Sequence, residues 1–581
     1  MIAKIPPAFI LIFGALLVPL IRNRRIQAIY MLMLPVLGFV HLLYLPHTDG
    51  GILWQVSIFG GSYTLTLLRV DKLSLVFGYI FHIAAFLSTL YALHSKDDTQ
   101  YVSGLIYAGS AIGAVFAGDL ITLFVYWEFT AIASVFLIWA RRTKRAYSAG
   151  MRYLVIQIAS GVLLLGGIIF HYRATGSLEF GFLGAAKGQA TNFLGLTTVG
   201  STMIFIAFGM KAAFPLLHNW LQDAYPEATE AGTVFLSAFT TKLAIYALAR
   251  SFPGTESLIW IGATMTIFPI FYAVIENDLR RVLAYSLNNQ LGYMVVGIGI
   301  GTHLALNGTA AHAFTHILYK SLLFMSMGAV LYRTGTANGS ELGGLYKSMP
   351  YTTVFCIIGA ASISAFPLFN GFISKSLIIS AAGHQGLVVT WMILLFASAG
   401  VFHHSGIKIP FFAFFAHDSG IRVKEAPLNM LFAMGITAVL CVVTGVFPSI
   451  LYNILPYSMD YQPYTFPHVI TQLQILLWSA LAFVFLQKTK LYPPELRSTV
   501  LDTDWIYRKF LPGVVQFVHV IGALIWDAIL FLGGRLLAGF LGRVEKQYGS
   551  KGPLAQTLLT GAIALWAAIL LFVYLFFYFY R

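Results

Sequence analysis

Uncharged runs long enough to cross a bilayer recur along the whole chain. They constrain its fold more than any motif does. A hydrocarbon core about 30 Å thick is crossed by roughly 20 apolar residues in a helix. Such runs fall near residues 6–21, 28–46, 73–94, 102–118, 120–140, 148–171, 196–217, 231–249, 257–275, 282–301, 306–332, 351–381, 388–406, 428–448 and 467–486, with two more at 513–540 and 556–580. They are continuous and do not alternate, so helices are expected and a barrel is not. Only 10% of residues are charged, against roughly 25% in soluble domains. The expected fold class is an all-α, polytopic membrane helix bundle of about 14–17 spans.

Charge placement sets the topology. The net charge of +14 is not read as nucleic-acid binding, because the basic residues gather in short loops. Arg22, Arg24 and Arg25 follow the first run. Arg141, Arg142, Lys144 and Arg145 follow the fifth, Arg280 and Arg281 the ninth, and Arg422 and Lys424 the thirteenth. All are odd-numbered exits, so they share the cytoplasmic side and Met1 starts outside. The first run lacks a small-residue cleavage site and ends in a basic cluster, and is read as a retained helix. The polar stretch 487–512 reads as a cytoplasmic loop. Segment 513–540 carries Gln516, His519, Asp527 and Arg535 and precedes RVEKQYGSK. It is expected to lie at the cytoplasmic interface, with 556–580 as the last span.

Several chemistries find no support. Cys356 and Cys441 stand alone in apolar runs and form neither a disulfide framework nor a metal motif. No glycine-rich nucleotide loop, iron–sulfur cysteine cluster or CxxCH occurs. No cofactor and no metal site are expected, and electron transfer by this chain alone is not.

Against this background the buried ionisable residues stand out, because a charge at mid-helix costs roughly 2.5–3.5 kcal/mol even on the lenient insertion scale. Glu128, in ITLFVYWEFTAIASVFLIW, lies about 12 Å into its run, too deep for so short a side chain to snorkel. A functional carboxylate is the preferred reading, and a structural one bonded to a neighbouring helix the other. Lys211 precedes Pro215 by four residues, and the proline removes a backbone hydrogen bond and clashes with the carbonyl at 211. Freed carbonyls at membrane depth face water or protein, so a lysine beside a loosened turn suggests a small hydrated cavity. Lys242 stands in mid-helix beside Thr240 and Thr241. His312, His316 and Lys320 repeat at i, i+4, i+8 and share one helix face. With no HExxH and no third ligand nearby they suit proton exchange better than zinc. Lys375 follows a second interruption, at Pro367, Asn370 and Gly371. The two proline-broken runs lie five spans apart and so run in opposite directions, a mark of inverted repeats. His218, Asp223 and Glu227, after the first break, are secondary candidates. His403, His404, His417 and Asp418 are read as interfacial.

The runs VYWEF, MKAAFPLLHNWLQDAYPEA, SAFTTKLAIYAL, ENDLRRVLAYSLNNQLGYM, HAFTHILYKSLLF and FPLFNGFISKSLI resemble the antiporter-like subunits shared by respiratory complex I, membrane-bound hydrogenases and Mrp-type cation/proton antiporters. The resemblance covers roughly residues 70–450. Within the family it is nearest the D-type subunits of the Mrp sodium/proton antiporters. It implies that Glu128 pairs with Lys211, and that Lys242, His312, His316 and Lys375 continue a proton path. It also implies a division into N-terminal helices (1–100), a first antiporter repeat (101–250), a second (251–406), C-terminal core helices (407–486), and a tail of loop, interfacial or lateral helix and last span (487–581). PEATEAGTVFLSAF departs from the family pattern by placing Glu230 in a proline region.

The implied function is proton translocation within a multi-subunit sodium/proton antiporter of the bacterial inner membrane. Its expected partners are other membrane subunits, lipids, protons and sodium ions. The alternatives are a proton-pumping subunit of a redox complex and an energy-coupling subunit for another small substrate.

Overall fold

A computed structural model of the chain describes residues 5–46, 51–61, 63–186, 188–496, 500, 502–556 and 559–580. Met1, expected outside, and residues 497–499 and 501 of the polar connector lie outside the described residues. The chain forms two units, Met1–Asp502 and Thr503–Arg581.

The first unit opens with α1 (Pro7–Leu17) and α2 (Arg24–Leu43), followed by an antiparallel hairpin of β1 (Ile52–Ile58) and β2 (Tyr63–Arg69). This hairpin is a small addition to the all-α bundle expected; everything else regular in the described residues is helical. Its residues alternate along ILWQVSI and YTLTLLR, the period of a strand, and are too short to span. Next come α3 (Lys72–Ala92), α4 (Asp98–Val115), α5 (Leu120–Trp139), α6 (Lys144–Thr175), α7 (Val199–Lys211), α8 (Asn219–Ala224), α9 (Glu230–Ala238) and α10 (Thr240–Ser251). The series continues with α11 (Ser257–Ile275), α12 (Leu279–Ile300), α13 (His303–Thr334), α14 (Pro350–Ile363), α15 (Asn370–His384), α16 (Val388–Phe415), α17 (Leu428–Val446) and α18 (Phe466–Lys488). Each of the fifteen apolar runs up to residue 486 corresponds to one helix or to an interrupted pair.

Short polar residues start these helices by accepting hydrogen bonds from the free N–H groups of the first turn. Asn23, Asp97, Asp119, Thr143, Asp278 and Thr302 do so singly. Asp71 with Ser74, and Thr198 with Ser201, do so as reciprocal pairs. Twelve described helical stretches are long and apolar enough to cross a membrane. The apolar stretch of α9–α10 is entirely buried and that of α13 94% buried, against 17% for α18. The core therefore sits around α10, α12 and α13, with α18 at the edge.

Two five-span sets share landmarks. Asp119 caps α5 and bridges to Glu179 beyond α6; Asp278 caps α12 and bridges to Asn338 beyond α13. Gly176 and Gly335 close α6 and α13 in the left-handed region, where glycine carries no steric cost. The fourth span of each set is broken, α7 from α8 and α14 from α15, and the fifth is disturbed. In α9–α10 the helix is interrupted at Phe239 (φ −106°, ψ −65°). In α16 it widens to π-helical turns at Phe402–Ile407 and Phe411–Phe415.

The second unit holds α19 (Leu511–Tyr548) and α20 (Thr560–Phe579). The 38 residues of α19 make a rod of about 57 Å, nearly twice the hydrocarbon thickness of about 30 Å.

Candidate functional site

The first break places its lysine at the last position of α7. Lys211 is fully buried. Its Nζ donates to the Trp127 carbonyl at 2.6 Å and to Thr130 Oγ1 at 3.0 Å, and sits 4.3 Å from the Trp127 ring. The ammonium is thus held by the backbone one residue before Glu128. Glu128 itself points to α6. A Cβ added at Gly161 would lie 1.4 Å from Glu128 Oε1, an oxygen that has no hydrogen-bond partner. Among the described residues no ion pair joins Glu128 to Lys211, so the implied pairing is not a contact here. Glu128 still acts electrostatically on Lys211. Glu128 is half-buried, on a helix face with exposed Val125, Phe129 and Ile132.

The second cluster lies at the centre of the bundle. Lys242, His312, His316, Lys320 and Lys375 are all at most 1% exposed. His312 Nδ1 lies 3.1 Å from Ser374 Oγ, which also meets Thr315 Oγ1 at 2.8 Å. The His312 and His316 rings are 6.1 Å apart, and Tyr319 joins His312 to Gln290. Lys242 donates to the Ser237 carbonyl, two residues before the interruption at Phe239. Lys375 donates to the Ile363 carbonyl at 2.6 Å, at the end of α14. Lys242, Lys320 and Lys375 all act electrostatically on His316. Lys320 Nζ, both His316 nitrogens, Thr241 Oγ1 and both Asn370 side-chain atoms have no protein hydrogen-bond partner. Buried polar atoms of this kind are satisfied by ordered water. Among the described residues no carboxylate makes an ion-pair contact with the cluster.

Pro215 and Pro367 stand inside the two breaks. Gly371 is required by close approach, since a Cβ there would lie 1.8 Å from the Ser362 carbonyl oxygen. The secondary candidates take other roles. Asp223 accepts a bidentate pair from Arg152 at 2.6 and 3.1 Å, and Glu227 pairs with Arg145 at 2.6 Å, anchoring the basic-loop side. His218 Nε2 meets Asp502 Oδ2 at 2.7 Å, both buried. Glu230, at the departure from the family pattern, meets His94 Nε2 at 3.0 Å.

Sequence reasoning missed one group. The run ending at 406 continues as helix to Phe415, and His404 and Lys408 within it are fully buried. Lys408 pairs with Glu495 at 3.0 Å. The signal was the single lysine in GIKIPFF, between two apolar stretches.

Residues 117–442 match the family model described as NADH:quinone oxidoreductase/Mrp antiporter, TM. Among curated relatives, the A-type subunit of the Na(+)/H(+) antiporter of Alkalihalophilus pseudofirmus is 31% identical over 508 residues, covering 77% of this chain and 61% of its own length. The D-type subunit of the Na(+)/H(+) antiporter of the same organism is 33% identical over 316 residues, covering 53% and 64%. The chain thus spans under two thirds of either relative. A chain of the Mrp complex from Dietzia sp. DQ12-45-1b superimposes with a TM-score of 0.75 at 23% identity, over 92% of this chain and 62% of that one; at that identity the likeness is one of fold. The family model accounts for more than half of the chain, and the breaks and buried lysines lie within its limits, so the chain belongs to the NADH:quinone oxidoreductase/Mrp antiporter transmembrane family.

Proposed function

We propose that this chain is the proton-translocating subunit of a multi-subunit sodium/proton antiporter in the bacterial inner membrane, a transporter component and not an enzyme by itself. Protons move along Lys211, Lys242, His316, Lys320, His312 and Lys375, with Glu128 as the switch. One observation carries this reading: three lysines and two histidines share a buried centre with no carboxylate among the described residues to balance them. Such a set cannot be charged throughout, because each buried cation without a partner costs several kcal/mol. Its protons belong to the set and not to single residues. A proton added at one end therefore displaces another, given water between the unpartnered atoms.

Glu128 and Lys211 form the input. A carboxylate near a buried amine favours the charged amine, and its removal disfavours it. Movement of Glu128 therefore loads or unloads Lys211. The exposed face around Glu128 suits a neighbouring membrane subunit, since a carboxylate facing lipid is costly. In the second unit, the length of α19 supports a helix lying along the cytoplasmic interface, with α20 as the last span.

The test uses everted vesicles from cells carrying the assembled complex, with proton movement followed with and without sodium. Lys211→Met and Glu128→Gln abolish sodium-dependent proton movement while the complex still assembles. Wild-type rates in assembled variants reject the path. Identification of the co-purifying subunits separates antiport from redox-driven pumping.

A further inference from the structure

The end of α16 and the connector after α18 build a second carboxylate–lysine pair that the path above does not use. Lys408 is fully buried, and its Nζ donates to the carbonyls of Ala273, Val274 and Glu276 at 3.2, 2.6 and 2.6 Å. These are the terminal carbonyls of α11, so three acceptors and a carboxylate fix the ammonium in place. Glu495 approaches at 3.0 Å, and neither of its oxygens has another partner. Its side chain is 6% exposed. Burial pushes the Glu495 carboxyl up, against the opposing pull of Lys408.

Unpartnered groups lead inward from this pair. The His403 ring lies 5.6 Å from the Tyr492 ring, and the Tyr492 hydroxyl and His403 Nε2 have no hydrogen-bond partner. His404 Nε2 has none either, while its Nδ1 meets Ser405 Oγ at 2.9 Å, which in turn donates to Ser286. His404 lies within electrostatic reach of Lys320, His403, Lys408 and Lys375, and so of the central cluster. Among the described residues the other charged groups near Lys408 are Glu276 and its partner Arg281. His403 and His404 lie in a π-helical turn that ends at Lys408, and π turns inside α-helices are frequent at functional sites. In the second five-span set α16 holds the place of α9–α10, so Lys408 lies in the span that corresponds to the one carrying Lys242.

We propose that Glu495 is a proton-carrying group which, seated on Lys408, joins the central cluster to the basic-loop side through His403 and His404. A proton taken up by the carboxylate passes to an imidazole nitrogen that has no protein partner, and from there to Lys320; the return uses the same groups. Lys408 is the positioning residue, and its fixed charge returns the carboxylate to its ionised form. The connector is then more than a link to α19, because it supplies the carboxylate. This inference rests on the proposed path and is tested apart from it.

The probe is dicyclohexylcarbodiimide, an apolar reagent that modifies a carboxyl only when it is protonated. It is applied to the assembled complex in native membranes, with modified peptides identified by mass spectrometry. Glu495 is expected to be modified, increasingly so on acidification. Lys408→Met raises the modification, and Lys211→Met leaves it unchanged. In transport, Glu495→Gln lowers sodium-dependent proton movement by on the order of 100-fold with assembly intact, and Glu495→Asp recovers most of it. A Glu495 that stays unmodified at every pH, or an assembled Glu495→Gln variant with wild-type rates, overturns the proposal. Unaltered transport in Lys211→Met rejects the wider path alone, because the carbodiimide readout does not depend on transport.

Discussion

At the first break the amine belongs to the helix that stops, and at the second to the helix that starts. Both breaks read Ala-Phe-Pro-Leu, at 213–216 and 365–368. In both, the alanine and the leucine have positive φ: 61° and 70° in the first, 57° and 74° in the second. In both, the phenylalanine N–H reaches back five residues, to Gly209 and to Ala361, each at 3.0 Å. The backbone device is therefore one device used twice, and its non-glycine left-handed residues each cost about 1–3 kcal/mol. Lys211 stands two residues before the first alanine, where the second break has Ile363. Lys375 comes from α15 instead and donates to the carbonyl of that same Ile363. The first amine thus ties its break to α5, at Trp127 and Thr130, and the second ties its break to itself. A lysine thus arrives at each loosened turn from a different position along the chain.

The sharpest way to break this comparison is to remove what lets α15 return. Gly371→Ala sets a methyl 1.8 Å from a backbone oxygen, with no side chain free to swing aside. A loss at the upper end of about 1–3 kcal/mol is expected, read as reduced assembled complex and a lower thermal midpoint in detergent. Lys375→Met comes next, with proton movement falling by about 100-fold or more in a complex that still assembles. The double variant Ile363→Lys, Lys375→Met gives the second break the arrangement of the first. It is expected to recover part of the rate lost in Lys375→Met. No recovery, in a complex that assembles, shows that the amine must come from α15.

Much of this was legible in the letters, for a physical reason. Crossing a bilayer forces continuous apolar runs, so every span up to residue 486 announces itself. A lysine or histidine inside such a run is costly, which is why Lys211, Lys242, His316 and Lys375 could be named without coordinates. Three features escaped. The β1–β2 hairpin is amphipathic and short, so the search for long apolar runs passes over it. Lys408 and Glu495 are joined by a connector that reads as an ordinary polar loop, and neither residue marks the other at a separation set only by folding. The Glu128–Lys211 pairing was expected as a contact, but Trp127 and Thr130 offer Lys211 a nearer oxygen pair. Periodicity reports depth and face; it does not report which oxygen an amine selects.

The first break can be sharpened from the other side of Glu128. Gly161→Ala places a Cβ where Glu128 Oε1 now sits, and the carboxylate is the flexible end of its side chain. The carboxylate must therefore move, while the backbone need not. Assembly is expected to hold and the rate to fall, by less than in Glu128→Gln because the charge survives. An unchanged rate shows that the position of Glu128 against α6 is immaterial to the switch.

The smallest effect is expected where the comparison has no counterpart. Asp223 follows the first break and carries a charge, but it is bound by Arg152, whose side chain is 37% exposed. Partly exposed pairs of this kind contribute about 0–1 kcal/mol. Asp223→Asn keeps the shape and retains one acceptor for Arg152. Proton movement is expected to stay within about twofold of wild type, the scale of substitutions outside buried networks. A loss comparable to that of Lys211→Met moves Asp223 into the path, and the ion-pair cluster on the basic-loop side then becomes the proton port of the first set, opposite Glu495 in the second.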